Sequence, residues 1–304
     1  MLLLIDAGNT RVKWALADDG AAADDRGSGP PVRSAGLGRW AACGAVLHAD
    51  VGMLARDWAD APVRAVLIAN VAGADMRAAL LQQVALLQDR HAAGQSQQDM
   101  APPVHWFASA DQTAGVRNGY RRPEQLGCDR FAALIGACAL LPQQALIVAV
   151  CGTATTVDAL TAAGAFIGGM ILPGPGLMAA SLARNTAQLP AVAMSATAVD
   201  TAQTPRTART PPTPPTARSA AQPGSPSAFA DNTDDAITSG CLSAQAGAIE
   251  RAVAAHGGAH CLLSGGAAAL VGSCLAVPFT AVDNLVLIGL QVFAASSDSP
   301  CKGI

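Results

Sequence analysis

The sequence predicts an α/β protein of two similar halves around a cleft, on three observations. Short apolar runs alternate with stretches of helical periodicity, the pattern of strands interleaved with helices. Ile5-Asp6-Ala7-Gly8-Asn9-Thr10 and Val150-Cys151-Gly152-Thr153-Ala154-Thr155-Thr156 both run strand, glycine, then threonine-bearing turn, so one arrangement occurs twice. Apolar residues make up 51% of the 304 and charged residues 13%, against a usual charged share of about 25%. That composition supplies a large core and excludes disorder for most of the chain. With aromatics at 4%, the core must come from Ala, Leu, Val and Ile.

Taken in order, positions 2–5 are an unbroken apolar run, read as a buried strand. Positions 12–16 alternate Val12, Trp14 and Leu16 with Lys13 and Ala15, so the two runs form a hairpin across a glycine-bearing turn. A strand at 63–69 and a helix at 76–87 follow. A helix at 129–141 leads into a buried strand at 146–150, with strands at 156–160 and 165–171 next. Helices are expected at 181–189 and 234–256, a strand at 261–264 ending in Gly265-Gly266, and a closing helix at 285–295. The stretch 196–230 stands apart. It holds seven of the nineteen prolines and almost no large apolar side chains. Burial there cannot offset the entropy of ordering, so it is read as a disordered or extended insertion. Weaker loops are expected at 18–31 and 94–103. The halves are placed at 1–140, with the first Gly/Thr loop and the 129–141 helix, and at 141–304, with the second loop and the insertion.

Several function classes fall away. Mean hydropathy is +0.32, and no charged residue lies between Arg130 and Asp158. Pro142-Gln143-Gln144 and Gly152 break that stretch, whereas a spanning helix needs roughly 20 continuous apolar residues. A buried helix, a turn and a buried strand are expected instead, and no membrane partner. Asp6 cuts the opening apolar run and no basic residue precedes it, so no secretion signal is expected. The eight cysteines include no CxxC pair and no zinc spacing, and are read as free thiols of a reducing cytoplasm. His256 and His260, separated by Gly257-Gly258, are read as a surface turn rather than a metal pair. A net charge of −3 offers no basic excess for nucleic acid.

Four motifs carry the chemistry. In Asp6-Ala7-Gly8-Asn9-Thr10-Arg11-Val12-Lys13, Gly8 allows a tight turn and close backbone approach to a ligand. Asn9 and Thr10 bring polar side chains and successive N–H groups that suit an anion, and Lys13 adds positive charge. Asp6 has the wrong charge for phosphate unless a divalent ion intervenes, and Mg²⁺ favours one or two carboxylates with water and substrate phosphates. On its own this would be an ordinary hairpin turn. The second loop, from Gly152 through Thr153, Thr155 and Thr156 to Asp158, sets three hydroxyls and no bulk at the equivalent point of the other half. Together the loops read as a polyphosphate clasp. Gly127-Cys128-Asp129-Arg130 opens the 129–141 helix. There Asp129 serves either as a cap or as an acceptor for a substrate hydroxyl proton, and Arg130 suits a substrate carboxylate bidentately. The Gly/Pro-rich passage 168–176 is either a connection or a pocket lining.

The segments IDAGNTRVKW (5–14), GYRRPEQLGCDRFAALIGA (119–137), CGTATTVDAL (151–160), GAFIGGMILPGPGLMAASLARNTAQLP (164–190), NTDDAITSG (232–240), LLSGGAAAL (262–270) and DNLVLIGL (283–290) cover nearly the whole chain. In this order they resemble the type III pantothenate kinases of the acetate and sugar kinase/actin-like superfamily. The resemblance implies two ribonuclease H-like (actin-like ATPase) domains with an interdomain cleft. It implies ATP-dependent phosphorylation of pantothenate to 4'-phosphopantothenate, the first step of coenzyme A biosynthesis, by a cytoplasmic homodimer with its substrate pocket near the dimer interface. By motif, Asp6, Ala7, Gly8, Asn9, Thr10, Arg11, Val12 and Lys13 would hold the ATP phosphates, with Mg²⁺ at Asp6 through water, and Thr153 would also contact ATP. Asp129 would accept the proton. Tyr120, Gly127, Cys128, Asp129, Arg130 and Thr233 would bind pantothenate, and Gly265 and Gly266 would turn near the adenine. The chain departs from the family at Val150, where many members carry an Asp that binds a monovalent cation. A valine side chain cannot ligate K⁺ or NH₄⁺, so the sequence leaves the requirement for a monovalent cation open, and Asp158, the nearest carboxylate in sequence, is not assigned that site. Two other functions fit the same resemblance. One is a same-fold kinase for another small hydroxyl substrate, against which the Tyr120, Asp129, Arg130 and Thr233 set stands. The other is a non-catalytic transcription accessory regulator of the Bvg accessory factor type, against which the negative charge and the retained Asp6, Lys13, Asp129 and Thr153 stand.

Overall fold

The computed structural model describes residues 1–18, 36–59, 61–92, 102–194, 206–207, 217–218 and 229–301. The first half runs β1 (Leu2–Ala7), β2 (Arg11–Ala17), β3 (Ala42–Leu47), a 3₁₀ turn (His48–Met53), α1 (Leu54–Asp57), β4 (Ala65–Asn70), α2 (Ala74–Ala92) and β5 (Val104–Trp106). Then come β6 (Gln112–Thr113), β7 (Val116–Asn118), α3 (Cys128–Leu140), β8 (Leu146–Cys151), β9 (Ala154–Leu160), β10 (Ala165–Pro173) and α4 (Pro175–Asn185). The remainder is β11 (Arg206–Thr207), β12 (Ala217–Arg218), α5 (Thr233–Ala255), β13 (His260–Ser264), α6 (Ala268–Gly272), β14 (Phe279–Ala281) and α7 (Leu285–Ala295).

These strands make two sheets, ordered β11-β3-β2-β1-β4-β5 and β12-β14-β13-β8-β9-β10-β7-β6. In the first, β1, β2 and β3 pair antiparallel, and β4 and β5 extend β1 in parallel. In the second, β8, β9 and β10 pair antiparallel, and β13 and β14 extend β8 in parallel. The five-strand order is thus the same twice, with β8 in the place of β1. That is the ribonuclease H-like arrangement expected, and it puts Gly8 and Gly152 at corresponding strand ends. Strands β6 and β7, early in the chain, join the second sheet through β10.

Alternation along each strand sorts side chains into separate cores. Leu4 and Leu67 face inward with Leu146, Val148 and Leu262 of the other sheet, and α3 and α7 fill the space between. Leu3, Ile5 and Ile68 face outward onto α1 and α2, while Ile147, Ala149 and Leu263 face α5. Helices α3 and α7 meet glycine to backbone. A Cβ on Gly289 would overlap the Ala132 carbonyl, and one on Gly136 would lie 2.7 Å from the Leu285 carbonyl.

Most expected elements lie within a few residues of their observed bounds. Helix α4 is an exception: it starts at Pro175 and ends at Asn185, not at 181–189. The fixed φ of proline suits a first helical position, so the Gly/Pro passage opens this helix. His256 and His260 are each engaged, the first through Nε2 with the Leu160 carbonyl (3.0 Å), the second with Thr280 Oγ1 (2.8 Å). All eight cysteines are free thiols. Among the described residues no helix is long and apolar enough to cross a membrane. Of the expected insertion at 196–230, residues 206–207 pair with β3 and 217–218 with β14. The rest of it, apart from Phe229 and Ala230, lies outside the described residues, as do the expected loops at 18–31 and 94–103 except at their ends.

Candidate active site

The first loop is the β1–β2 turn, closed by Gly8 N donating to the Arg11 carbonyl (3.1 Å). The hairpin register sets Asp6 directly opposite Lys13. Asp6 continues the inward face of Leu4, toward α3, whereas Ala7 and Val12 are buried in the outer core. The side chains of Ala7 and Val12 are therefore packing groups, and only their backbone can meet a ligand. Asn9, Thr10 and Arg11 are exposed. His48 Nε2 donates to the Gly8 carbonyl (2.8 Å) and braces the turn. Nothing in the sequence pattern singled out His48.

The second loop is the β8–β9 turn, closed by Gly152 N donating to the Ala154 carbonyl (3.0 Å). Of the three hydroxyls expected there, only that of Thr153 is presented. Thr155 is buried and Thr156 half-buried because both belong to β9. Thr153 Oγ1 shares a hydrogen bond of 2.7 Å with Thr10 Oγ1, so the two loops touch. Two further segments clamp the second loop. Gly174 N donates to the Thr153 carbonyl (2.8 Å), where a side chain at 174 would overlap the Gly152 carbonyl. Gly265 adopts φ +99° against the Cys151 backbone, and Ala267 N donates to the Cys151 carbonyl (3.0 Å). Gly265 and Gly266 therefore adjoin the second loop.

Helix α3 brings the third motif to the same place. Gly127 is its N-cap and Asp129 its second residue, so Asp129 is not the cap that helix-end preference suggested. Asp129 Oδ1 accepts from Arg130 N (2.8 Å). Cys128 Sγ reaches the Asn70 carbonyl at the end of β4 (3.6 Å), and burial pushes its thiol up to about 11. Burial also pushes the Asp129 carboxyl up, opposed by the Arg130 N–H and charge. Asp6 is pushed up to about 6, first by burial and further by Asp129, with Lys13 opposing. Asp129 thus sits close enough to push Asp6 up, and at each carboxylate burial outweighs the neighbouring positive charge. A divalent cation would relieve both, so the donor set fits Mg²⁺.

Arg130 is buried and its fork is engaged: Nε donates to Asp158 Oδ2 (3.2 Å), Nη2 to Asp158 Oδ1, and Nη1 to the Tyr120 hydroxyl (3.0 Å). Burial works against the charge, yet these bonds outweigh it and hold the guanidinium pKa above its ordinary value. The bidentate edge expected for a substrate carboxylate is therefore already occupied by Asp158. Tyr120 is half-buried beside Phe166, ring centroids 5.2 Å apart. Val150, the next-to-last residue of β8, is half-buried, and Asp158 is turned to Arg130 instead of replacing the carboxylate missing there. Thr233 lies elsewhere. It is the exposed first residue of α5, after Asn232, whose side chain caps the helix by accepting from Asp235 N (3.0 Å). It lines a groove of about 1100 Å³ between α4 and α5, with Leu177, Met178, Arg184 and Ile237.

Two sheets of like order, a glycine–threonine loop at each matching strand end and a pair of half-buried carboxylates define a phosphotransferase of the actin-like ATPase class. Residues 2–255 match the type III pantothenate kinase family. Proteins named type III pantothenate kinase in Herminiimonas arsenicoxydans (47% identical, 99% of this chain and 100% of that one) and Janthinobacterium sp. strain Marseille (48%, 99% and 100%) are similar throughout. A third in Cupriavidus pinatubonensis is 40% identical over 97% of this chain and 98% of its own. The chain belongs to the type III pantothenate kinase family and is a kinase; membership implies a divalent metal alongside the nucleotide.

Proposed function

We propose that this chain transfers the terminal phosphoryl group of ATP to the terminal hydroxyl of pantothenate, giving 4'-phosphopantothenate, the first step of coenzyme A biosynthesis, in the cytoplasm. The observation that carries the reading is the contact of the two loops at Thr10 and Thr153, beside Asp6, Lys13 and Asp129. Asn9, Thr10, Arg11 and Lys13, the backbone at 7–12 and Thr153 would cradle the ATP phosphates, with Gly265 and Gly266 near the adenine. Asp6 would hold Mg²⁺ through water; when bound, the ion neutralises charge on the phosphates. Phosphoryl transfer has a loose transition state, so positioning and charge neutralisation supply most of the rate. Asp129 orients the pantothenate hydroxyl and takes its proton late in transfer. Tyr120 and the helix start at Gly127, Cys128 and Arg130 would form the pantothenate site, with Arg130 acting through Nη1 and Tyr120, whereas Thr233, in the α4–α5 groove, is not brought to that site within one chain. The Val150 side chain offers no oxygen to K⁺ or NH₄⁺, and turnover in Na⁺ buffer with and without either ion decides whether one is still required. The 1–140 and 141–304 halves would act as two domains. Exposed Ile167, Ile171, Leu177 and Leu182 on β10 and α4 are surface that a second copy would cover in a homodimer. Asp129→Asn tests the central role. Turnover should fall about 10²-fold or more while ATP still binds, and wild-type turnover in that variant would overturn the assignment.

A further inference from the structure

Asp158 is a buried carboxylate, 1% exposed, on β9, outside the set of residues assigned above to ATP or pantothenate. Both of its oxygens are occupied by Nε and Nη2 of Arg130, itself 6% exposed. The third nitrogen, Nη1, donates to the Tyr120 hydroxyl (3.0 Å). A guanidinium has donors and no acceptor. The Tyr120 oxygen must therefore accept from Arg130, which leaves the phenolic hydrogen to point elsewhere. The backbone makes room for this chain of contacts. Gly169 on β10 pairs directly with Asp158. A Cβ there would overlap Asp158 Oδ1 and lie 2.8 Å from Arg130 Nη2.

We infer that Asp158 is a positioning residue for substrate. By fixing the Arg130 fork it holds Tyr120 as an outward hydrogen-bond donor to an acceptor oxygen, carboxylate or amide, of the acceptor substrate. The inference rests on the reading of Tyr120 as part of the pantothenate site. Because Asp158 cancels the charge of Arg130 within the protein, recognition at this point is by a neutral, directed O–H rather than by a free cation. Gly169 serves the same end by leaving space for the carboxylate.

Tyr120 is the only tyrosine in the chain, so incorporation of 3-fluorotyrosine gives one ¹⁹F signal that reports this site. The test compares wild type with Asp158→Asn, Tyr120→Phe and the double variant, by steady-state kinetics in both substrates, and follows the ¹⁹F signal during pantothenate titration of wild type and Asp158→Asn. Asp158→Asn should raise the pantothenate KM about tenfold while the MgATP KM stays within about twofold. The double variant should be no worse in pantothenate KM than the worse single variant. Pantothenate should shift the ¹⁹F signal of wild type and not that of Asp158→Asn at the same concentration. Should Asp158→Asn not fold, Gly169→Ala, which displaces the carboxylate but keeps both charges, carries the same expectation. An unchanged pantothenate KM, a parallel loss in both KM values and kcat, or additive effects in the double variant would overturn the inference. A wild-type protein without pantothenate-dependent ADP release would instead overturn the reading on which it rests.

Discussion

Replacing Asp6 by Asn should stabilise the nucleotide-free protein at neutral pH while removing its response to MgATP. The magnitude follows from the site. Burial raises the Asp6 carboxyl from 3.8 to about 6, against the pull of Lys13 and with a further push from Asp129. A rise of about two units is about 3 kcal/mol between the protonation states, and the partial solvent exposure of the side chain trims this to about 2 kcal/mol. The native state holds this proton to higher pH than the unfolded chain, so native protein binds more protons between about pH 4 and pH 6. Stability therefore falls as pH rises through that window. At pH 7.5 wild type carries the full penalty, and Asn carries none. Urea denaturation without nucleotide should favour Asp6→Asn by about 2 kcal/mol at pH 7.5 and by almost nothing at pH 4. Adding MgATP should raise the midpoint of wild type far more than that of the variant. A variant no more stable than wild type at pH 7.5, or equally favoured at both pH values, refutes the view of Asp6 as a half-buried charge that a cation must complete.

Other expectations concern the loops and the central helices. Thr153→Val removes the hydroxyl shared with Thr10 and should raise the MgATP KM about tenfold, with pantothenate KM unchanged, in initial-rate measurements. Gly289→Ala forces a methyl group into the Ala132 carbonyl where α7 crosses α3, and should cost about 2 kcal/mol, a Tm drop of a few degrees by scanning calorimetry.

The doubled fold was legible because its cause is local. Gly8 and Gly152 each follow an apolar run and precede threonines, and the sheets repeat one strand order around those positions. The buried strands and α3 were legible from continuous apolar runs. Short β3 and β5 were not: Ala42–Leu47 offers few large side chains and no strict alternation, Val104–Trp106 is only three residues long, and both form because β2 and β4 supply partners. At the site, the types at Asp6, Thr10, Asp129 and Thr153 suggested phosphate chemistry, but register decided which of them are presented. Thr155 belongs to β9 and is buried, while Thr153 sits in the turn. The pairing of Arg130 with Asp158 joins a helix start to a mid-strand residue across Gly169, and local spacing carries no trace of it.

The most direct measurement is ADP release by purified protein given ATP and Mg²⁺, with and without pantothenate, in Na⁺ buffer free of K⁺ and NH₄⁺. Release that depends on pantothenate in that buffer is the predicted result, because the loops and Asp129 suffice for transfer and the Val150 side chain offers a monovalent cation no oxygen. Folded, ATP-binding protein that releases no pantothenate-dependent ADP, with or without added K⁺ or NH₄⁺, would contradict it.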